Sequence, residues 1–314
     1  MKVLRFLCMC MVVIVSSCNI DDTITITLQD DNFRPATSAS NCGWSKVCEY
    51  TPAPGQFIGD QATAGFSQLI TTPADAAKYA EKRFVEKKFV SLGGFGGYII
   101  VGFDHSVENA EGYDIAIKGN AFDGSSEPGI VWVAQDENGD GEPNDRWYEL
   151  AGSRAQSEET IYNYAVTYFR PEQSSQPVKW RDSEGCEGEI DYLAAYHKQD
   201  SYYPTWIEAD CYTLYGTRLK ALNYDKSGNG TMWIQPSYGW GYADNFCQED
   251  SLAEEKSVNL FDIANAVGSD GQSVDLEYVD FVKVQTAVNA KSGWLGENST
   301  EVVDIYDYGL MIRR

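Results

Sequence analysis

The sequence predicts an all-β protein with minor α content: a two-sheet β-sandwich, in jelly-roll style, with one or two short helices. Three observations predict it. Strand-like runs bounded by Gly, Asn, Asp or Pro recur at short spacing along most of the chain. Aromatic residues are abundant, with 20 Tyr, 13 Phe and 8 Trp, as suits sheets stabilised by cross-strand ring pairs. Only one segment carries a convincing set of helix-start signals, so helices cannot supply the layers.

The densest group of strand signals is Ser91–Ser153. It holds the runs Tyr98–Phe103, Tyr113–Lys118 and Gly129–Ala134. Further runs follow at Ile161–Phe169, Tyr212–Leu222, Gly230–Gln235, Tyr278–Thr286 and Glu301–Tyr306. The helix opens at Thr72-Pro73-Ala74-Asp75, where Thr72 caps, Pro73 takes the first helical position and Asp75 meets the helix dipole. It is expected to run to about Val85.

Residues 1–17 read as a secretory leader, with basic Lys2 and Arg5 followed by an apolar run, Phe6–Val15, too short to span a bilayer. Val15-Ser16-Ser17-Cys18 resembles the cleavage box of bacterial lipoproteins, which makes Cys18 the expected acylated N-terminus. The alternative is ordinary cleavage nearby. Residues 18–42 are polar and read as acylated Cys plus tether, with Thr23–Leu28 as one possible strand, and residues 43–314 as a single ligand-binding domain. The formal charge of −23 becomes −25 without Lys2 and Arg5. Such a surface repels phosphate, which argues against nucleic acid and against binding to anionic lipid other than through the anchor. Five cysteines lie beyond Cys18: Cys42, Cys48, Cys186, Cys211 and Cys247. The odd count leaves at least one unpaired, and Cys42–Cys48 is the preferred pair.

The most specific chemical signal is Asp136-Glu-Asn-Gly-Asp-Gly141. Oxygen donors at alternate positions, with Gly to permit a sharp turn, are what wrapping a loop round a hard cation requires. Asp136, Asn138 and Asp140 are expected to bind calcium through side chains, Glu142 through its carbonyl, and Asp145 to close the far side. Trp147 stands where an EF-hand would place its bidentate Glu, so the expected role is structural. The competing reading is an Asx-rich turn without an ion. Asp225-Lys-Ser-Gly-Asn-Gly230 is a thinner echo, read as a hairpin turn with left-handed Gly.

Several longer strings occur in order: SLGGFGGYIIVGFDHSV, GYDIAIKGNAF, the D-x-N-x-D-G loop, RWYELAGS, DSYYPTWIE, NYDKSGNG, YGWGYADNF, FDIANAV and VDFVKVQTAVNAKSGWLGENSTEV. Together they resemble a family of Bacteroidetes cell-surface lipoproteins with a β-sandwich domain, over about Cys48 to Asp307. Asp21-Asp22 is similar to a short form of the acidic tag that exports such lipoproteins to the surface. Members accompany TonB-dependent cobalamin receptors. The resemblance therefore implies an outer-membrane protein facing outward that binds a nutrient, with a corrinoid as leading ligand, for handover to an outer-membrane transporter.

Two aromatic clusters are the candidate ligand surface. Tyr203 and Trp206 lie in one, Tyr238, Trp240 and Tyr242 in the other, with Asp244 and Asn245 adjacent. Gly between alternating rings suggests an exposed rim, and flat rings suit sugar faces as well as a corrin macrocycle. The alternative places these rings in the core. Asn120, Asp123, Ser125 and Glu127 form a polar loop that is a candidate for the same rim. His105 reads as a turn residue and His197 as a surface one. No G-x-S-x-G, H-E-x-x-H, Walker loop or dinucleotide fingerprint occurs. The function classes in contention are corrinoid binding, glycan binding and, third, glycan hydrolysis.

Overall fold

The computed structural model of the protein describes residues 32–58 and 70–313. Its centre is a six-stranded antiparallel sheet built from β1 (Lys46–Thr51), β3 (Tyr98–Glu108), β5 (Gly129–Ala134), β6 (Trp147–Leu150), β14 (Ala266–Val267) and β15 (Tyr278–Thr286), in the order β1-β3-β15-β5-β6-β14. A three-stranded sheet has β4 (Ile115–Lys118) between β13 (Val258–Phe261) and β17 (Asp304–Asp307). A four-stranded sheet runs β10 (Cys211–Arg218), β7 (Ile161–Phe169), β8 (Val178–Asp182), β9 (Glu187–Ile190). Two small pairs complete the set: β11 (Tyr224–Asp225) with β12 (Trp233–Ile234), and β2 (Val90–Ser91) with β16 (Glu301–Val302). Every ladder is antiparallel. The protein is all-β with minor α content, as predicted.

Side-chain alternation decides which face of the central sheet is core. Ile99, Val101, Val131, Val133, Val282 and Val284 share one face by register and are fully buried. They join Ile115 and Ile117 of β4, Ile305 of β17 and Phe261 of β13 in the main core. Burying each such side chain contributes roughly 1.5–3 kcal/mol. Helix α1 (Pro73–Val85) seals the same core with Tyr79, Ala80 and Phe84. Its bounds match the sequence reading: Thr72 Oγ1 accepts the Asp75 N–H at 3.1 Å. A second helix, α2 (Tyr308–Arg313), follows β17.

The other face of the central sheet carries Tyr98, Ile100, Trp132, Lys283 and Gln285. The four-stranded sheet reaches this face, through a second core of Phe95, Tyr164, Val166, Tyr168 and Leu214, against which Tyr98 packs. This mixed face, half apolar and half polar, is where the cavity described below lies.

Two expectations need correction. The stretch assigned to a tether is docked from Asn32 onward, and Asn32–Arg314 is one compact unit. The Phe33 ring sits 5.2 Å from that of Tyr278, and Arg34 Nη2 bonds Asp280 Oδ1 at 2.9 Å. One aromatic and one cation within a polar run suffice to fix it. Second, Cys42 and Cys48 are free thiols and form no disulfide. Cys42 is pinned to β17, because its carbonyl accepts the Asp307 N–H at 2.8 Å. Cys48 lies at the bulge of β1, between Val47 and Glu49, where burial pushes its thiol up to about 11. The expected strand at Thr23–Leu28, the leader and Cys18 fall outside the described residues.

Candidate functional site

The Asp136 loop connects β5 to β6. Asp136 Oδ2 accepts the Gly141 N–H at 2.9 Å, Asn138 Oδ1 that of Asp140 at 2.8 Å, and Asp140 Oδ1 that of Glu142 at 2.8 Å. These side chains therefore curl into the loop, as in an Asx-rich turn with or without an ion. Asn144 Nδ2 also donates to Asp140 Oδ2 at 2.9 Å. The Glu142 carboxylate is exposed and lies 3.5 Å from Lys46 Nζ. Asp136 Oδ1 and Asp145 Oδ2 are buried and have no hydrogen-bond partner. In the Asp225 turn, by contrast, Oδ1 accepts from Ser227 and Oδ2 from Gly230 N, so both carboxylate oxygens are engaged by the turn itself.

The aromatic rim is not where the sequence reading put it. Tyr203, Trp206, Tyr238 and Tyr242 are buried, and of the five expected rings only Trp240 is exposed. The intervening glycines serve close packing. A Cβ at Gly239 would lie 2.5 Å from Ser153 Oγ, and one at Gly241 2.5 Å from Gly152 Cα. The thin backbone thus presses against the Gly152 turn, and the Tyr242 hydroxyl accepts the Arg154 N–H. Tyr203 and Tyr202 pack in the second core and Trp206 in the first. Asn245 is buried too, its Oδ1 accepting the Tyr238 N–H at 2.8 Å. His105 also differs from expectation, whereas His197 is half-buried. His105 lies within β3, buried between Asp104 and Asp307; the His197 ring packs edge-on against Phe57.

Asp244 has a different setting from the one expected. It lies with Glu127 and Glu301 in a three-carboxylate cluster whose oxygens are within 4.8 Å of one another. Its Oδ1 accepts the N–H groups of Asn120 and Ala121, and its Oδ2 that of Glu301. Glu127 Oε1 accepts from Ser299 N and Gln235 Nε2. Burial, then mutual repulsion, pushes Asp244 up to about 8 and raises Glu127 and Glu301 as well. The Glu127 and Asp244 charges add to burial in raising Glu301. Asn120 and Asp123, offered for the same rim, are exposed.

The chemically richest concavity lies on the mixed face of the central sheet and was not singled out by the sequence. Register places Glu49, Ile100, Lys283, Trp132 and Glu149 in one row across β1, β3, β15, β5 and β6. Tyr162 and Asn163 of β7 and Tyr215–Thr217 of β10 wall a cavity of about 490 Å³ above Trp132, Trp147, Glu149, Lys283 and Gln285. Lys283 Nζ sits 4.8 Å from the Trp132 ring centroid and 5.0 Å from that of Trp147. Burial lowers Lys283 to about 8 against the pull of Glu49 and Glu149. Burial also pushes Glu149 up to about 7, while a Thr217 hydroxyl bond and Lys283 oppose the rise. Two lining residues hold buried polar atoms with no partner: the Trp132 Nε1 donor and the Gln285 Oε1 acceptor. Convergent polar groups with shifted protonation amid rings are the features of a ligand site. A second concavity, an open groove of about 700 Å³, runs along β8 and the edge strand β9, with Trp180, Phe169, Ile190, Asn289 and Lys291.

The sequence does hold a signal for the cavity. Lys283 interrupts the apolar run Phe281-Val-Lys-Val284, and Glu149 interrupts Trp147-Tyr-Glu-Leu150; a charge inside an otherwise buried strand marks a face with a second purpose. No protein-family model matches the chain, and no curated protein matches it. Among the described residues, no helix is long and apolar enough to cross a membrane.

Proposed function

We propose that this protein is a lipid-anchored, outward-facing outer-membrane protein that captures a small nutrient and passes it, unaltered, to a TonB-dependent receptor. The observation that carries the binding part is the cavity over Lys283, with its ring walls and its two unsatisfied buried polar atoms. Leaving such atoms unpaired costs roughly 1–3 kcal/mol each, which a ligand with hydroxyl groups recovers. A volume of about 490 Å³ is in the range of small-ligand sites, about 300–1,000 Å³. Rings at Trp132, Trp147, Tyr162 and Tyr215 offer faces for a pyranose, while Glu149, Gln285, Asn163 and Lys283 offer hydrogen bonds. The ligand class that fits best is therefore a glycan unit.

A corrinoid is the second reading. It is supported by the resemblance to surface lipoproteins and by the wider open groove at Trp180, since a macrocycle with its amide fringe needs a broad, shallow seat. Calorimetry of the full-length protein in detergent, against an oligosaccharide panel and cyanocobalamin, separates the two. Glycan binding should weaken by about 30-fold or more, near 2 kcal/mol, in Trp147→Ala if that ring is a central anchor, and survive Trp180→Ala. Cyanocobalamin binding lost in Trp180→Ala and kept in Trp147→Ala would establish the corrinoid reading. Absence of heat with every ligand would remove both.

The anchoring part rests on the leader and the Val-Ser-Ser-Cys18 box. Cys18→Ala is expected to release the protein from the membrane fraction and to abolish palmitate labelling. Unchanged labelling in that variant would overturn it.

A further inference from the structure

We propose that the Asp136–Asp145 loop takes a calcium ion, and that the ion and the docked segment Asn32–Arg34 hold each other in place. The first half rests on two atoms. Asp136 is only 5% exposed, and its Oδ1 has no partner although its Oδ2 is engaged by Gly141 N inside the loop. Asp145 Oδ2, nine residues on in the sequence, is likewise buried and unpartnered. A buried carboxylate oxygen without a donor is costly unless a cation meets it. Lys46 Nζ meets the loop at Gly141 O, at 2.6 Å, and Arg34 Nη2 bonds Asp280, yet neither cation bonds Asp136 Oδ1 or Asp145 Oδ2. The donors on offer are oxygens throughout, from Asp136, Asn138, Asp140 and Asp145. That set suits a hard cation of flexible coordination, which favours calcium over magnesium with its strict octahedron.

The second half rests on what covers the loop. Asn32 Nδ2 donates to Glu137 O at 2.7 Å. Asn32 Oδ1 comes so near Gly139 that a Cβ there would lie 2.7 Å from it, and Gly139 has φ +72. Asn32 therefore sits on the loop tip, in a place that only Gly leaves open. Two residues on, Arg34 reaches the root of the same loop. Asp280 Oδ1 accepts from Arg34 Nη2 while its Oδ2 accepts the Asp136 N–H at 2.8 Å. Arg34 also exchanges bonds with Ser106: its N–H donates to Ser106 Oγ at 3.0 Å and its carbonyl accepts the Ser106 N–H at 2.8 Å. The segment thus touches the loop at tip and root. An ion that fixes the loop fixes the segment's partners, and linkage makes the effect reciprocal. The consequence is that calcium binding and docking of Asn32–Arg34 stabilise each other.

The test uses the full-length protein in detergent, with calcium chloride as titrant and hydrogen exchange as second readout. Calcium should bind, and tighter than magnesium. Asp136→Asn should abolish binding, as should Asp145→Asn, a milder change at a half-buried residue. Asn32→Ala leaves every proposed ligand intact and should weaken calcium about fivefold or more, the lower end of usual coupling strengths. Chelation should speed exchange of the Arg34 and Ser106 amides and leave the β15 amides unchanged. No calcium binding, or equal magnesium binding, overturns the ion assignment. Calcium binding with unchanged Asn32→Ala affinity and unchanged Arg34 exchange overturns the coupling.

Discussion

Glu301→Gln is expected to raise the melting temperature at pH 8 by several degrees and to leave it unchanged near pH 4. The reason lies in the cluster of Glu127, Asp244 and Glu301, which among the described residues forms no salt bridge with Lys or Arg. Burial raises all three carboxyls, Asp244 to about 8. The sign follows from proton counts. Between the ordinary carboxylate range and about 8 the folded protein binds more protons than the unfolded chain, so stability falls as pH rises through that window. Below it both states are protonated and the cluster costs nothing. A glutamine keeps the shape and a donor for Glu127 but cannot ionise. Relief of only about 2 kcal/mol corresponds to roughly 4–8 °C, at about 2–4 °C per kcal/mol for a domain of 150–250 residues. Thermal denaturation at the two pH values is the measurement. If the variant instead melts lower at pH 8 in calcium, with the difference erased by chelator, the three carboxylates hold a cation rather than shared protons.

That cluster also shows which parts of the molecule the sequence disclosed. Long apolar runs bounded by turn residues became strands at nearly the expected limits, as at Gly129–Ala134, Ile161–Phe169 and Tyr278–Thr286. Thr72-Pro73 set the start of α1 because capping is local chemistry. The strands β8 and β9 escaped notice because they are short, five and four residues, and offer few apolar positions between Lys179, Arg181, Glu187 and Glu189. The predicted strand Gly230–Gln235 shrank to Trp233–Ile234, because the turn before it consumes the rest in side-chain bonds to Asp225 and Ser227.

The sites were legible where their residues are neighbours in sequence. The Asp136 loop forms where its spacing placed a turn, with the side-chain-to-backbone bonds that an Asx-rich turn has with or without an ion. Glu301 meets Asp244 through its own N–H, 57 residues along the chain, and no local pattern announces such a meeting. The aromatic clusters misled for a related reason. Glycine alternating with rings has the same spacing whether it opens a loop or lets a backbone press against Gly152, and only the partner distinguishes them. The cavity over Lys283 is assembled from strands scattered between β1 and β15, so its row of side chains exists only once register is fixed.

Asp280→Ala should be the most damaging single change outside the apolar core. The carboxylate is fully buried and accepts three bonds: from Arg34 Nη2 at 2.9 Å, Ser106 Oγ at 2.6 Å and Asp136 N at 2.8 Å. It therefore joins β15, β3, the Asp136 loop and the segment Asn32–Arg34 at one point. Truncation leaves the Asp136 N–H and the Ser106 hydroxyl without an acceptor, and Arg34 without its counter-charge. Arg34 is partly exposed, so the larger cost is the two buried donors left unsatisfied, about 1–3 kcal/mol each, a fall in melting temperature on the order of 10 °C at this size. Asp280→Asn retains one acceptor oxygen but points an amide N–H at donors, so it should recover only part of the loss. Its Arg34 amide should exchange faster than in the unsubstituted protein, because the charge that holds the guanidinium is gone. Thermal melts with hydrogen exchange on both variants provide the measurement. A melting temperature for Asp280→Ala within about 2 °C of the parent would mean that water replaces the carboxylate at little cost, and that the segment is held by Phe33 and Asn32 alone.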